Sequence, residues 1–256
     1  MSDVDLTHKL RTGDALLFSS NNPTGFLLRT MISSHWNHGG IAVRIKDSDL
    51  NNGKEISLDY EGELFVLEIN TSPREDGISG KKIIGAGYSK ASWVFRKYNR
   101  VAVRYLQEEW RTEKLPSITK EFSDGYSTTP FPSSPLSFLS IWLGVDLGKD
   151  NSMFCSELMA KYYIKIMIDT IPSESHIESG SIDTIRKIFG DECPEEEHLF
   201  RPGHFDISNM PNSSMLSNQE EIYHRSGDIL FIIIQPLLIT MFIAVMFYIM
   251  LSVTKI

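Results

Sequence analysis

Cys155 lies where a thiol could act as a nucleophile. It follows Asn151 and Ser152, two residue types that often begin helices. The apolar residues around it recur with helical spacing, at positions 154, 158, 159, 162, 163 and 166. A thiol in the first turn of this predicted helix lies at the positive end of the helix dipole, near amide hydrogens without helical partners. Both favour the nucleophilic thiolate, although taken alone the residue is more typical of an inert, buried helix start.

A cysteine nucleophile needs a base within hydrogen-bond reach and a third group that orients the base. His38 is the candidate base, because it stands just before a glycine pair, Gly39 and Gly40, and a predicted strand over residues 41–45. His35, three residues earlier, is the competing histidine. A loop residue without chemistry is the alternative role for His38.

Glu68 is the candidate for the orienting group. It lies inside an apolar predicted strand over residues 64–70, where a carboxylate needs a partner. Alternation places Glu68 on one face with Leu64 and Val66, and the residues between them on the other face. A salt bridge to lysine or arginine is the alternative role. The second cysteine, Cys193, lies in an acidic loop, which predicts an inert surface thiol.

The elements that must position these residues follow from local patterns. The predicted elements are a turn capped by Asp14 that leads into a short buried strand, strands over residues 92–95 and 101–103, and a helix over residues 106–122 broken at Pro116. Residues 126–147 are rich in proline, serine and aromatic residues. Packing of an irregular connection is favoured for them, and an apolar substrate groove is the alternative.

Composition excludes several classes of function. The chain has 256 residues and a net charge of −8, which argues against a nucleic-acid partner. Its two cysteines have no spacing typical of a zinc site or a disulfide framework, so a reducing compartment is expected. Neither a metal nor an organic cofactor is indicated.

The C-terminal region differs from the rest of the chain. Residues 229–253 are apolar and carry no charge, and they exceed the roughly 20 residues that a helix needs to cross a bilayer. The sequence predicts a catalytic domain over residues 1–209, a linker over 210–227 and a transmembrane tail anchor over 228–254. The N-terminus lacks the apolar segment of a signal peptide. A single-pass protein with a cytosolic catalytic domain is therefore expected, with the lipid bilayer as partner of residues 229–253.

Four stretches together carry a family resemblance. They are residues 13–18 (GDALLF), 36–43 (WNHGGIAV), 66–68 (VLE) and 154–158 (FCSEL). In this order they resemble the circularly permuted NlpC-like papain-fold hydrolases, which include the YiiX-type amidases and, more distantly, the lecithin:retinol acyltransferase-like enzymes. Residues 201–205 (RPGHF) resemble the closing turn of that family. The resemblance covers roughly residues 10–207; Gly39 and the polar insert at 46–62 depart from it.

The resemblance implies an α+β, permuted papain-like fold in which a small antiparallel sheet packs on the helix that carries Cys155, here with a C-terminal transmembrane helix added. It also implies that Cys155 is the nucleophile, that His38 is the general base and acid, and that Glu68 orients the imidazole. The backbone amide of Cys155 would contribute to an oxyanion hole. Attack of water on the acyl-enzyme gives hydrolysis, whereas attack of an amine or alcohol gives acyl transfer.

These expectations combine into a membrane-anchored cysteine hydrolase or acyltransferase. It would cleave an amide, ester or thioester in a lipid, peptide or acylated substrate. Lipid or lipidated substrates are favoured, because the anchor would hold the site at a bilayer surface. A thiol protease or isopeptidase of protein conjugates is one alternative. A non-catalytic, tail-anchored scaffold of a viral or cellular membrane is the other.

Overall fold

The computed structural model shows one seven-stranded sheet with helices on both faces. It describes residues 8–22, 25, 28–29, 34–48, 53–127, 129–132, 152–171, 182–191, 193–194, 200–209, 211 and 213–224. The strands are β1 (Ala15–Ser19), β2 (His38–Asp47), β3 (Lys54–Ser57), β4 (Glu63–Glu75), β5 (Lys82–Lys90), β6 (Arg100–Leu106) and β7 (Leu216–His224). Their order is β5-β4-β2-β1-β6-β7, and β3 also pairs with β2. Each of these pairings is antiparallel.

The helices are α1 (Ala91–Lys97), α2 (Leu115–Tyr126), α3 (Cys155–Thr170) and α4 (Ile182–Phe189). Two 3₁₀ turns, Glu108–Trp110 and Pro202–Phe205, complete the described elements. Cys155 is the first residue of α3, as the spacing of apolar residues predicts. The residue before it, Phe154, has no polar side chain, so it cannot cap the first-turn amides of this helix.

Two apolar layers hold the helices to the sheet. Side chains of α2, α3 and α4 join Ile41, Val43 and alternate residues of the other strands in the larger layer. Side chains of α1 join Ala42 and Val66 in the smaller layer on the opposite face. This division follows the period of two in each strand, because neighbouring side chains point to opposite faces. We call these sides of the sheet the α3 face and the α1 face.

The predicted fold class is wrong as stated. The sheet is large rather than small, because β6 and β7 extend it beyond the strands that carry the candidate site residues. In the part of the chain that the structure describes, no helix combines the length and apolar character needed to cross a bilayer. Residues 229–253, for which the sequence predicts a membrane span, lie outside the described residues.

Three local predictions also differ from the structure. Residues 92–95, predicted as a strand, belong to helix α1. Pro116 does not break a helix but stands in the first turn of α2, where its missing amide hydrogen costs nothing. Residues 216–224, within the range predicted as a linker, form β7 and pair with β6.

Candidate active site

The structure brings the three predicted site residues together at the beginning of β2. His38 is the first residue of β2, Glu68 lies in the middle of β4, and Cys155 begins α3. By alternation, His38 and Glu68 share the α1 face with Ala42 and Val66. Helix α3 packs on the opposite face, so Cys155 reaches the His38 ring at the end of the strand. All three side chains are buried, with relative exposures of 7% for His38, 0% for Glu68 and 5% for Cys155.

Glu68 binds the imidazole directly. Its Oε2 lies 2.6 Å from His38 Nε2, a distance typical of a charge-assisted hydrogen bond. The register explains the contact, because β2 and β4 pair Ile41 with Leu67 and so place Glu68 diagonally across from His38. The carboxylate therefore fixes the orientation of the ring through Nε2.

The Cys155 sulfur lies within hydrogen-bonding reach of the His38 ring. Because Glu68 occupies Nε2, the nitrogen left for the sulfur is Nδ1. The ring thus stands between a thiol and a carboxylate, which is the order that a cysteine–histidine–acid relay requires. His35, the competing histidine, is exposed.

Electrostatics favour a protonated His38 beside an ionised Glu68. Burial alone would lower the pKa of His38, but the Cys155 sulfur and the Glu68 carboxylate raise it to about 9. Burial alone would raise the pKa of Glu68, but hydrogen bonds from His38 and Ser89 and the nearby charge of Arg74 hold it well below its usual range. Both shifts describe one buried ion pair that persists across neutral pH.

Two aromatic rings stack against the imidazole of His38. Tyr98 stacks nearly parallel to His38, with ring centroids 5.5 Å apart and an interplanar angle of 9°. Phe18, directly opposite His38 in the β1–β2 pair, lies 5.7 Å from His38 and 4.9 Å from Tyr98. These rings exclude water from the ring face and leave the imidazole little freedom to rotate. The sequence analysis missed Tyr98, which follows α1 and reaches His38 only through the fold.

Ser89 is a second residue that the sequence analysis missed. Its hydroxyl donates to Glu68 Oε1 at 2.6 Å, so both carboxylate oxygens have a partner. Ser89 lies on β5 directly opposite Val66, and therefore on the same face as Glu68. Ser89 lies shortly before the strand predicted over residues 92–95, and no pattern in the sequence singles it out.

The glycine pair allows the neighbouring elements to approach β2. A Cβ on Gly39 would lie 2.5 Å from Met159 Sδ in helix α3. A Cβ on Gly40 would lie 2.6 Å from Val66 Cγ1 and 3.0 Å from the Leu67 carbonyl oxygen of β4. One glycine therefore admits the helix that carries the cysteine, and the other admits the strand that carries the carboxylate.

The remaining predicted residues have other places in the fold. Asp14 caps the turn before β1 by accepting the Arg11 amide at 2.8 Å, and it also pairs with the buried Arg111. Cys193 is half-buried against the larger apolar layer rather than on the surface. Within residues 201–205, His204 Nδ1 accepts the Arg201 amide at 3.1 Å. Residues 133–147 of the proline-rich segment lie outside the described residues.

The described residues do not form a metal centre of the usual kind. Among them, no three histidine, cysteine, aspartate or glutamate side chains come together as ligands would.

No protein-family model matches the chain, and neither does any curated protein sequence. Among solved structures, the chain is similar to the crystal structure of the metalloprotein yiiX from Escherichia coli O157:H7 (DUF1105). The similarity has a TM-score of 0.43 and 14% sequence identity, and it covers 81% of this chain and 95% of the other.

Proposed function

We propose that this protein is a cysteine hydrolase that cleaves an amide, ester or thioester through an acyl-enzyme on Cys155. The observation that supports this most strongly is the buried line of groups in which His38 contacts Cys155 on one side and bonds Glu68 Oε2 at 2.6 Å on the other. The imidazole has a thiol on one side and a carboxylate on the other, which is the order of groups that activates a cysteine nucleophile.

The reaction follows from these positions. The Cys155 thiolate attacks the carbonyl carbon, and the resulting oxyanion is stabilised by the uncapped backbone amides at the start of α3. The imidazolium of His38 then gives its proton to the leaving amine, alcohol or thiol as the carbonyl reforms, which leaves a thioester on the sulfur. Neutral His38 next takes a proton from water, hydroxide adds to the thioester, and the acid and the Cys155 thiolate are released. Glu68 keeps the ring oriented throughout.

The test uses a Cys193→Ala protein, so that Cys155 is the single thiol. The rate of iodoacetamide labelling is measured, and so is the turnover of a panel of acyl substrates made up of p-nitrophenyl esters, anilides and thioesters. Mass spectra then show whether an acyl adduct forms on Cys155. We expect an acyl adduct on Cys155, turnover abolished by Cys155→Ala, and turnover lowered roughly 10²–10⁴-fold by His38→Ala. The exposed His35 provides the matched control, because His35→Ala should leave the rates unchanged.

Two outcomes would decide against the proposal. Labelling of Cys155 that is slow and unaffected by His38→Ala would leave the non-catalytic scaffold that the sequence also allows. If the acyl adduct on Cys155 is not hydrolysed by water but is released by an added amine, the reaction is acyl transfer rather than hydrolysis.

A further inference from the structure

Arg74 is a buried cation close to the site, and it has no role in the proposed reaction. It lies on β4, six residues after Glu68, beyond an irregularity in the β4–β5 pairing between Asn70 and Arg74. Its Nη2 donates to three backbone carbonyls, those of Glu68 at 2.9 Å, Gly85 at 2.8 Å and Gly87 at 3.2 Å. One of the three acceptors therefore belongs to Glu68 itself.

The guanidinium of Arg74 lies next to Gly87 of β5. Gly87 is paired with Glu68 across β4 and β5, so its side chain would lie on the face that carries the Glu68 carboxylate. A Cβ on Gly87 would clash with Ile83 Cδ1 and would lie 3.6 Å from Arg74 Nη2, an ordinary van der Waals distance. Ile83 therefore fills the space beside Gly87, and Arg74 Nη2 lies at its edge.

The carboxylates near Arg74 already have other partners. Both Glu68 oxygens are taken, one by His38 and one by Ser89. Asp76 accepts the Tyr88 amide at 2.9 Å with one oxygen and the Ser79 amide at 2.7 Å with the other. Consistently, Nε and Nη1 of Arg74 are buried without a hydrogen-bond partner among the residues that the structure describes.

We propose that Arg74 is a positioning residue for Glu68. Its positive charge keeps Glu68 ionised, while both carboxylate oxygens stay bonded to His38 and Ser89. A direct two-pronged salt bridge would be stronger, but it would take an oxygen from the imidazole. Charge compensation without a hydrogen bond avoids that competition, because Coulomb attraction in a buried site acts over several ångströms. This inference rests on the proposed function, since it assigns Arg74 to the orientation of the catalytic base.

Two substitutions separate the charge from the hydrogen bonds. Arg74→Gln and Arg74→Lys each keep a side-chain nitrogen donor, but only lysine keeps the charge. Arg104 supplies the matched control, because it is also fully buried and donates to the backbone carbonyls of Ser217, Leu216 and Phe205. Its partners lie on β7 and the Pro202–Phe205 turn, away from Glu68, so Arg104→Gln reports the cost of losing a buried arginine as such.

The readout is the ¹³C titration of the Glu68 side-chain carboxyl, which needs no substrate and no reaction at Cys155. We expect Arg74→Gln to raise the titration midpoint of Glu68 by on the order of one pH unit, and Arg74→Lys to leave it close to the wild-type midpoint. Arg104→Gln should lower the melting temperature without moving the Glu68 midpoint.

The inference is overturned if Arg74→Gln and Arg104→Gln lower stability alike and neither moves the Glu68 midpoint. It is also overturned if Arg74→Lys moves that midpoint as far as Arg74→Gln does. Where the glutamine variant does not fold, a rise of about one pH unit in Arg74→Lys relative to the wild type overturns it as well. Failure of the proposed function looks different, since wild-type Cys155 would then label slowly and independently of His38 while the carboxyl titration still responds to Arg74.

Discussion

At the scale of single residues, the main property of the site is the raised pKa of His38, which its two neighbours cause. The imidazole is buried, which opposes its charge, yet contact with Cys155 and Glu68 raises its pKa to about 9. A histidine that stays protonated above neutral pH can give a proton to a leaving group at once, without first collecting it from water. In the proposed mechanism, the ion pair with Glu68 would therefore keep this proton on His38 as well as orient the ring.

Glu68→Gln should lower the pKa of His38. The amide keeps the shape of the carboxyl and can still accept from Nε2, but it removes the negative charge that favours the imidazolium. We expect the midpoint of His38 to fall from about 9 towards the ordinary value of 6.5. NMR titration of the His38 ring protons in the wild type and the variant measures the change directly.

Glu63→Gln is the matched control for this substitution. Glu63 lies on the same strand but forms an exposed pair with Lys90 Nζ at 3.1 Å. Its removal should leave the His38 midpoint unchanged, because solvent screens an exposed charge at that distance along the strand. Equal midpoints in the wild type and Glu68→Gln would show that Glu68 does not set the charge of the imidazole.

The sequence predicts Cys155, His38 and Glu68 as a group because each has a local signal: a helix start, a histidine beside glycines, and a carboxylate in an apolar strand. Ser89 and Arg74 have no such signal. Each meets Glu68 only through the register of β4 with β5, and that register shifts between Asn70 and Arg74. A pattern read along one strand carries no information about such pairing between strands.

At the scale of elements, the site depends on how closely β2 can approach its neighbours. The sequence predicts close packing after His38 from the glycine pair, and the structure shows which element each glycine admits. The strand predicted at residues 92–95 is instead part of α1 because a run of three apolar residues, 93–95, fits a buried helix turn as well as a strand. Its placement on the α1 face, where Tyr98 reaches His38, could not be read from that run.

Gly40→Ala should destabilise the protein and slow turnover. The added methyl group would lie 3.0 Å from the Leu67 carbonyl oxygen and 3.4 Å from Glu68 Cβ, and backbone cannot move aside as a flexible side chain can. We expect a loss of about 1–3 kcal/mol in the free energy of unfolding, measured with urea, and a weaker His38–Glu68 contact.

Gly125→Ala is the control, and it should change the stability of the protein in the opposite direction. Gly125 lies in α2, and a Cβ there would meet no atom within 4 Å. Alanine should therefore stabilise the helix by roughly 0.5–1 kcal/mol without affecting turnover. If Gly40→Ala is as well tolerated as Gly125→Ala, the approach of β4 to β2 does not require the glycine.

The Pro202–Phe205 turn should respond to acid through His204. Burial and the charge of Arg201 lower the pKa of His204 to about 4, and Nδ1 must be unprotonated to accept the Arg201 amide. Because the folded protein disfavours the charged ring, stability should fall as the pH drops from about 6.5 to about 4 and level off below that. His204→Asn keeps an acceptor but cannot titrate, so its urea unfolding should lack this acid-dependent part. An identical pH dependence in both proteins would exclude His204 as its source.

At the scale of the whole molecule, the site residues come from opposite faces of the sheet. Helix α3 packs on one face, and the side chains of Glu68 and His38 lie on the other. The three meet only because His38 is the first residue of its strand and Cys155 the first residue of its helix. Stability of the whole fold is therefore coupled to protonation of the site, since unfolding releases all three groups to water.

This coupling predicts a pH dependence that Cys155 should alter. The folded pKa of His38 lies above its unfolded value, so its contribution to stability is complete below about pH 6.5 and is lost as the pH rises through about 9. The Cys155 sulfur is the largest contribution that raises this pKa. Cys155→Ala should therefore move the alkaline loss of stability to lower pH, measured by urea unfolding between pH 6 and 10. Cys193→Ala should not move it, because the groups that raise the pKa of His38 are Cys155 and Glu68. If both alanine variants keep the wild-type profile, His38 gains its charge from Glu68 alone, and the sulfur is a neighbour of the imidazole rather than its partner.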